Sequence, residues 1–130
     1  DKSFDCKNLL KKIDAGTNFF QTQFAFDFRI LSNYMEKLNE HGVTNKAYYI
    51  VGLGVLKSAK SAIWMNKNLF GVNIPDQIIR RLEDSSNQEK EGIKICIELI
   101  EKYREIKGVH GVHLMGYHQE EQIAEVISNF

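Results

Sequence analysis

An α/β fold with three parallel strands and covering helices is predicted, on two observations. Short apolar runs of strand length alternate with amphipathic helical segments, and the composition is that of one globular unit. The chain has 130 residues, 43% hydrophobic and 26% charged, with 17 basic against 17 acidic side chains and a single proline. That balance excludes a disordered tail, a collagen-like repeat and a disulfide-dense secreted miniprotein. A chain of this size buries roughly two thirds of its unfolded surface, enough for one core.

Residues Ser3 to Ala15 place Cys6, Leu9, Leu10 and Ile13 at helical spacing, and Gly16 stands where a helix-ending glycine belongs. The run from Asn18 to Phe26 is rich in aromatics, too short and unperiodic for another helix, and reads as a buried strand near 18–24. Ile30, Leu31, Tyr34, Met35 and Leu38 return to the helical period and stop at His41-Gly42. Ala47 to Leu53 repeats the strand pattern and breaks at Gly54, after which Lys57 to Asn66 reads as helix. Pro75 suits the first turn of a further helix through Ile78, Ile79 and Leu82, because its missing N–H would have no intrahelical partner there. Ser86-Asn87-Gln88-Glu89 has the capping-box form and opens a long helix through Ile93, Cys96, Ile97, Ile100 and Tyr103 to Gly108. A third strand falls near 111–116, and Gln119 to Ile127 closes the chain as a helix. Three sequentially ordered strands with right-handed crossovers follow. No repeat, low-complexity stretch or linker divides residues 1–130, which read as a single unit.

A net charge of zero provides no long-range field to collect polyanions, so neither nucleic acid nor an anionic membrane is an expected partner. The longest apolar run, Tyr48 to Leu56, falls far short of the roughly 20 residues of a spanning helix. The start at Asp1 lacks both a signal-peptide core and an initiator Met, and reads as part of something longer. Cys6 and Cys96 have no metal-type or redox-type spacing, and two buried thiols in a reduced, cytoplasmic protein are expected.

Several residues bear on chemistry. At 100° per residue Asp5, Asn8 and Lys12 fall within about 60° of one another on the first helix, beside its apolar stripe. They are either a solvated helix flank or a grip on one polar ligand, the ammonium serving as a point charge for phosphate. Thr22-Gln23 interrupts an apolar strand; a glutamine there needs partners for both its carbonyl and its NH₂, so it joins a polar network or faces a ligand. Gln23 also lies near the C-terminal end of its strand, where α/β folds place their ligands. Asp27 reads as the cap of the next helix. Gly52-Leu53-Gly54 fails as a dinucleotide fingerprint, because Lys57 occupies the third glycine position; close backbone approach or a tight strand exit explains it better. His110, His113 and His118 have no recognised metal spacing, and no nucleophile motif is present.

The run from Leu10 to Asp27, containing Lys12-Ile13-Asp14-Ala15-Gly16 and Thr22-Gln23-Phe24-Ala25-Phe26-Asp27, resembles the K-x-D-A-G-A-x-F-x-x-T-Q-x-x-F-D signature of methylenetetrahydrofolate reductases. The resemblance continues through Leu56–Lys60, Gly71–Pro75, Glu91–Ile93 and Gly111–Met115, in order along essentially the whole chain. It implies the C-terminal half of a TIM (β/α)8 barrel, strands six to eight with their helices. It also implies an FAD enzyme of one-carbon metabolism that reduces 5,10-methylenetetrahydrofolate to 5-methyltetrahydrofolate with a hydride from NAD(P)H. Asp5, Asn8 and Lys12 then fall on positions that hold the ribose and pyrophosphate of FAD, and Gln23 on the glutamine that contacts the folate. The resemblance leaves two departures. A family arginine near the end of the last strand is replaced by His118-Gln119, and a proline common after the strand-seven glycine turn is Val55. The family's acid on the first strand and aspartate on the fourth lie upstream of Asp1, so the isolated chain is expected to be inactive. Its partners are expected to be the missing N-terminal half and a folate, with an oligomer or a rearranged cover over the inner face of the sheet. The alternative is a non-catalytic folate-binding or assembly module on the same scaffold.

Overall fold

The computed structural model describes residues 5–130, so the expected helix start at Ser3 lies outside the described residues. The described chain runs α1 (Lys7–Asp14), β1 (Phe19–Phe24), α2 (Phe28–Glu40), a 3₁₀ turn (Val43–Asn45), β2 (Tyr48–Leu53), α3 (Ala59–Asn68), α4 (Asp76–Glu83), α5 (Gln88–Arg104), β3 (Gly111–Leu114) and α6 (Glu120–Ile127). The three strands form one sheet in the order β1-β2-β3, and both pairings are parallel. Gln21 pairs with Ile50, which in turn pairs with Gly111, so one row crosses the whole sheet.

The helix layer of α2 and α5 packs on one face of the sheet. Side chains alternate along a strand, and in β2 the residues Tyr49, Val51 and Leu53 are buried against Leu31, Met35 and Leu38 of α2 and the apolar stripe of α5. The opposite row is open at its start, where Phe19 is 53% and Tyr48 62% exposed, and closes further along, with Ile50 half-buried and Gly52 buried against Met115. Parallel strands in sequential order, packed on α2 and α5, make an α/β arc of a (β/α)8 barrel.

Local chemistry fixes the helix ends. The Gly16 N–H bonds the Ile13 carbonyl at 2.9 Å and the Thr17 N–H bonds the Lys12 carbonyl at 2.9 Å, a Schellman ending that requires the positive φ of Gly16. Ser58 caps α3, its Oγ accepting the Ser61 N–H at 3.1 Å, so that helix runs from 59 to 68 and not from 57 to 66. In the S-x-x-E segment the cap is Asn87, one residue later than the pattern suggests; its Oδ1 accepts the Lys90 N–H at 3.1 Å. The Ser86 pattern fails because the amide of Asn87 is as good a cap as a hydroxyl. Pro75 sits at the N-cap of α4, just before the first turn.

α5 approaches the exit of β2 through Gly92, whose absent side chain leaves room for Leu56: a Cβ there would lie 1.8 Å from the Leu56 carbonyl oxygen. α4 is joined to α5 by Arg81, whose guanidinium donates to Glu91 and to both carboxylate oxygens of Glu98. The Arg81 hydrogen bonds hold the Glu98 carboxyl below its usual range. Both cysteines are buried and unpaired with each other, and burial pushes the Cys96 thiol up to about 12.

Gly92→Ala is expected to destabilise the fold by about 3 kcal/mol, the upper range for forcing extra volume into a packed interior. A urea midpoint equal to wild type would show that Leu56 yields freely. For Glu98 the sign follows from its lowered pKa: the folded state binds its proton less tightly than the unfolded state, so the stabilisation is present above the unfolded carboxylate range, near pH 4–5, and is lost as pH falls through the folded value. The pair is half exposed, and its contribution is expected to be only about 0.5–1 kcal/mol. The stability gap between wild type and Glu98→Gln, measured by urea denaturation at stepped pH, should close on going from pH 6 to pH 3; a gap independent of pH would contradict the assignment.

Candidate functional site

A cleft of about 410 Å³ runs along β1, between α1, α2 and the loop at 71–73. The two faces of β1 differ in environment, because its outward-facing Phe20 and Phe24 pack on the core while Gln21 and Gln23 remain exposed. Gln23 lies at the C-terminal end of the strand, and Lys12 reaches the same cleft from the last turn of α1. Two of the four residues singled out in sequence therefore meet at one cavity. Asn8 is exposed one turn before Lys12 and does not line it.

Asp5 departs from the helical spacing that groups it with Asn8 and Lys12. α1 begins at Lys7 and Cys6 is its N-cap, so Asp5 precedes the helix. Its Oδ1 accepts the Lys7 N–H at 2.9 Å, a turn that satisfies one of the donors a helix start leaves open. The periodicity argument holds for Asn8 and Lys12 and fails for Asp5.

The strand itself is irregular at the site. Gln21 pairs with Ile50 and Phe24 with Gly52, so β1 fits three steps against two of β2 and carries a bulge at Thr22-Gln23. The Thr22 hydroxyl accepts the Gly52 N–H at 2.9 Å and donates to the Gln23 carbonyl at 2.7 Å. The Gln23 Oε1 accepts the Phe24 N–H at 3.0 Å. At Gly52 a Cβ would stand 2.6 Å from the Thr22 carbonyl oxygen, which is the close backbone approach expected of the glycine pair.

Three further groups escape the sequence reading. The Tyr34 and Tyr49 hydroxyls stand 3.2 Å apart at the cleft, and burial, reinforced by that hydrogen bond, raises the Tyr49 phenol above its usual range. Asn73 reaches across from the 71–73 loop and its Nδ2 donates to Asp27 Oδ2 at 3.3 Å. Asp27 also caps α2 as expected, Oδ1 accepting the Ile30 N–H at 3.1 Å. Partner separations in sequence, 46 residues for Asn73 and Asp27, explain why no local pattern shows them.

Of the three candidate histidines, His110 has a structural role. His110 Nδ1 accepts the Tyr49 N–H at 3.0 Å, while the His110 N–H bonds the Tyr49 carbonyl at 2.9 Å, so this side chain extends the β2–β3 ladder by one step. No group of three or more His, Cys, Asp or Glu side chains among the described residues gathers as a metal site requires. Gln119 is buried and donates to the Val55 carbonyl at 2.9 Å, tying together the loops that follow β2 and β3. No helix of the described residues is long and apolar enough to cross a membrane.

The family model for methylenetetrahydrofolate reductase matches residues 1–130. The chain belongs to that family. It is 27% identical over 129 residues to a Caenorhabditis elegans protein described as "Probable methylenetetrahydrofolate reductase (NADPH)", covering 96% of this chain and 19% of that one. Its fold is similar to that of a Clostridium thermocellum protein that binds two copies of 5-methyl-5,6,7,8-tetrahydrofolic acid, with a TM-score of 0.63 at 17% identity over 93% of this chain and 44% of the other. The chain thus spans about a fifth of the curated relative and less than half of the solved one. Within the family signature, the closing aspartate is Asp27, and its two carboxylate oxygens are used on Ile30 and Asn73.

Asp27→Ala should cost about 1 kcal/mol through loss of the α2 cap. Asp27→Asn keeps an oxygen for the Ile30 N–H and should recover most of it. Urea denaturation of the two variants checks this, and equal losses would show that the charge toward Asn73, and not the cap, sets the stability.

Proposed function

We propose that this chain is the C-terminal part of the barrel of a flavin-dependent methylenetetrahydrofolate reductase, reducing 5,10-methylenetetrahydrofolate to 5-methyltetrahydrofolate with NAD(P)H as hydride donor. The observation that carries the reading is that Lys12 and Gln23, both within the family-matched span, open on one cleft at the C-terminal end of β1. When bound, FAD supplies the hydride-transfer chemistry. The residues present suit its polar tail. The Lys12 ammonium forms no salt bridge among the described residues and offers a charge to the pyrophosphate. Asn8, exposed one turn earlier, offers an amide to ribose hydroxyls, and Asp5 retains one carboxylate oxygen beyond its bond to Lys7. Gln23 contacts the folate, and Leu9 and Phe20 contribute apolar surface to the cleft. On this reading the acid that protonates the substrate comes from the missing N-terminal half, and the 130 residues alone are inactive.

A second reading, a folate-binding or assembly module without redox chemistry, is favoured by the solved neighbour that binds 5-methyltetrahydrofolate. The two part on colour: full-length protein with flavin absorbance supports the reductase, and colourless protein that still binds 5-methyltetrahydrofolate supports the module.

In the full-length enzyme, Gln23→Ala should slow the folate half-reaction about tenfold or more, the effect of about 1.4 kcal/mol of lost contact, and leave flavin reduction by NAD(P)H intact. Lys12→Ala should instead loosen the flavin. Stopped-flow measurement of the two half-reactions decides: unchanged folate reduction in Gln23→Ala, or equal flavin loss in both variants, would overturn the assignment of roles.

A further inference from the structure

The bulge in β1 removes two backbone donors from the ladder, and each is recovered by a side chain of the bulge itself. The Gly52 N–H goes to the Thr22 hydroxyl at 2.9 Å, and the Phe24 N–H to the Gln23 carboxamide oxygen at 3.0 Å. A backbone N–H only donates, so the oxygen of the Gln23 amide must face Phe24, and the NH₂ must point the other way. That NH₂ has no protein partner among the described residues, and Gln23 is an exposed residue that lines the cleft. The Thr22 hydroxyl has one proton, which it gives to the Gln23 carbonyl at 2.7 Å. It therefore holds both the neighbouring strand and the backbone of Gln23.

We propose that Thr22 is a positioning residue for the ligand-facing amide of Gln23: its hydroxyl bridges Gly52 to the Gln23 backbone and so fixes the bulge from which that amide is presented. The inference rests on the folate role given to Gln23 above. A hydroxyl is required because the position must accept and donate at once. The isosteric valine keeps the shape and the β propensity but removes both bonds, and serine keeps both bonds while losing only a methyl group.

The test is binding of 5-methyltetrahydrofolate to the full-length protein by titration calorimetry, with each variant's melting temperature recorded alongside. Gln23→Ala is expected to weaken binding about fivefold or more, as for loss of one hydrogen bond. Thr22→Val should weaken it about threefold or more, Thr22→Ser should stay within about twofold of wild type, and Thr22→Val should add nothing in the Gln23→Ala background, the signature of two residues acting as one unit. If Thr22→Val folds too poorly to titrate, Thr22→Ala, which leaves room for a water at the Gly52 N–H, is read by the same criteria. Wild-type affinity in Thr22→Val, or additive losses in the double variant, with Gln23→Ala still weakened, would overturn the positioning role alone. Wild-type affinity in Gln23→Ala would overturn the folate reading and this inference with it.

Discussion

Between Gln21 and Phe24 the chain places three steps of β1 against two of β2, and the groups this leaves out of the ladder have to be satisfied on the spot. Thr22 and Gln23 do so with their own side chains, and Gly52 makes it possible by having none. The strand rejoins its partner at once: the Ala25 N–H bonds the Gly52 carbonyl at 2.9 Å. From there the exit is anchored on the helix layer, because the buried Tyr103 hydroxyl donates to the Ala25 carbonyl and Asp27 begins α2 two residues later. Gln23 is thus exposed between two fixed points. On a regular strand Gln23 would stand opposite Gly52, which pairs with His113; the bulge takes it out of that register and gives the place to Phe24.

The division of the sheet into a packed face and an open face has a different physical basis. Parallel strands are ordinarily buried on both sides, and β2 is indeed apolar throughout, with Tyr48, Ile50 and Gly52 on the row away from the helices. Phe19 and Tyr48, paired across the strands and exposed, are apolar surface that a covering element would bury. The unpaired edge of β1 makes the same demand in hydrogen bonds. Both are open surfaces in a chain that spans about a fifth of the curated relative it matches.

Strand order and helix placement were legible because periodicity records burial directly. The stripe through Ile93, Cys96, Ile100 and Tyr103 declares which side of α5 faces the core; the aromatic run, expected as a buried strand, instead forms a sheet edge in which no residue from Phe19 to Phe24 is fully buried. The site was legible only in part. Lys12 and Gln23 meet in one cleft, but the helical spacing attributed to Asp5 assumed a helix that starts only at Lys7. The one-residue displacement of the α5 cap from Ser86 to Asn87 has a similar origin, since adjacent residues of equal capping power cannot be ranked locally. The bulge was hidden altogether: an extra residue changes pairing, not composition, and the Thr22 hydroxyl finds Gly52 across 30 residues of sequence.

Two positions at which the chain departs from the family pattern turn out to be one structural unit. Val55 follows the glycine turn after β2, and His118-Gln119 stands where an arginine is common beyond β3; the Gln119 Nε2 donates to the Val55 carbonyl, with Gln119 only 6% exposed. Gly116 lies beneath that side chain, where a Cβ would come within 2.7 Å of the Gln119 Oε1. A guanidinium in this buried slot would be costly without a carboxylate beside it, whereas an uncharged amide satisfies the Val55 carbonyl at no electrostatic cost. The turn that admits Gln119 passes through His118 at φ 53°, a left-handed conformation among non-glycine residues that His tolerates better than a branched side chain. The loop after β3 is therefore held by packing against the loop after β2, and Gln119 contributes by joining the two loops and not by reaching into the cleft along β1.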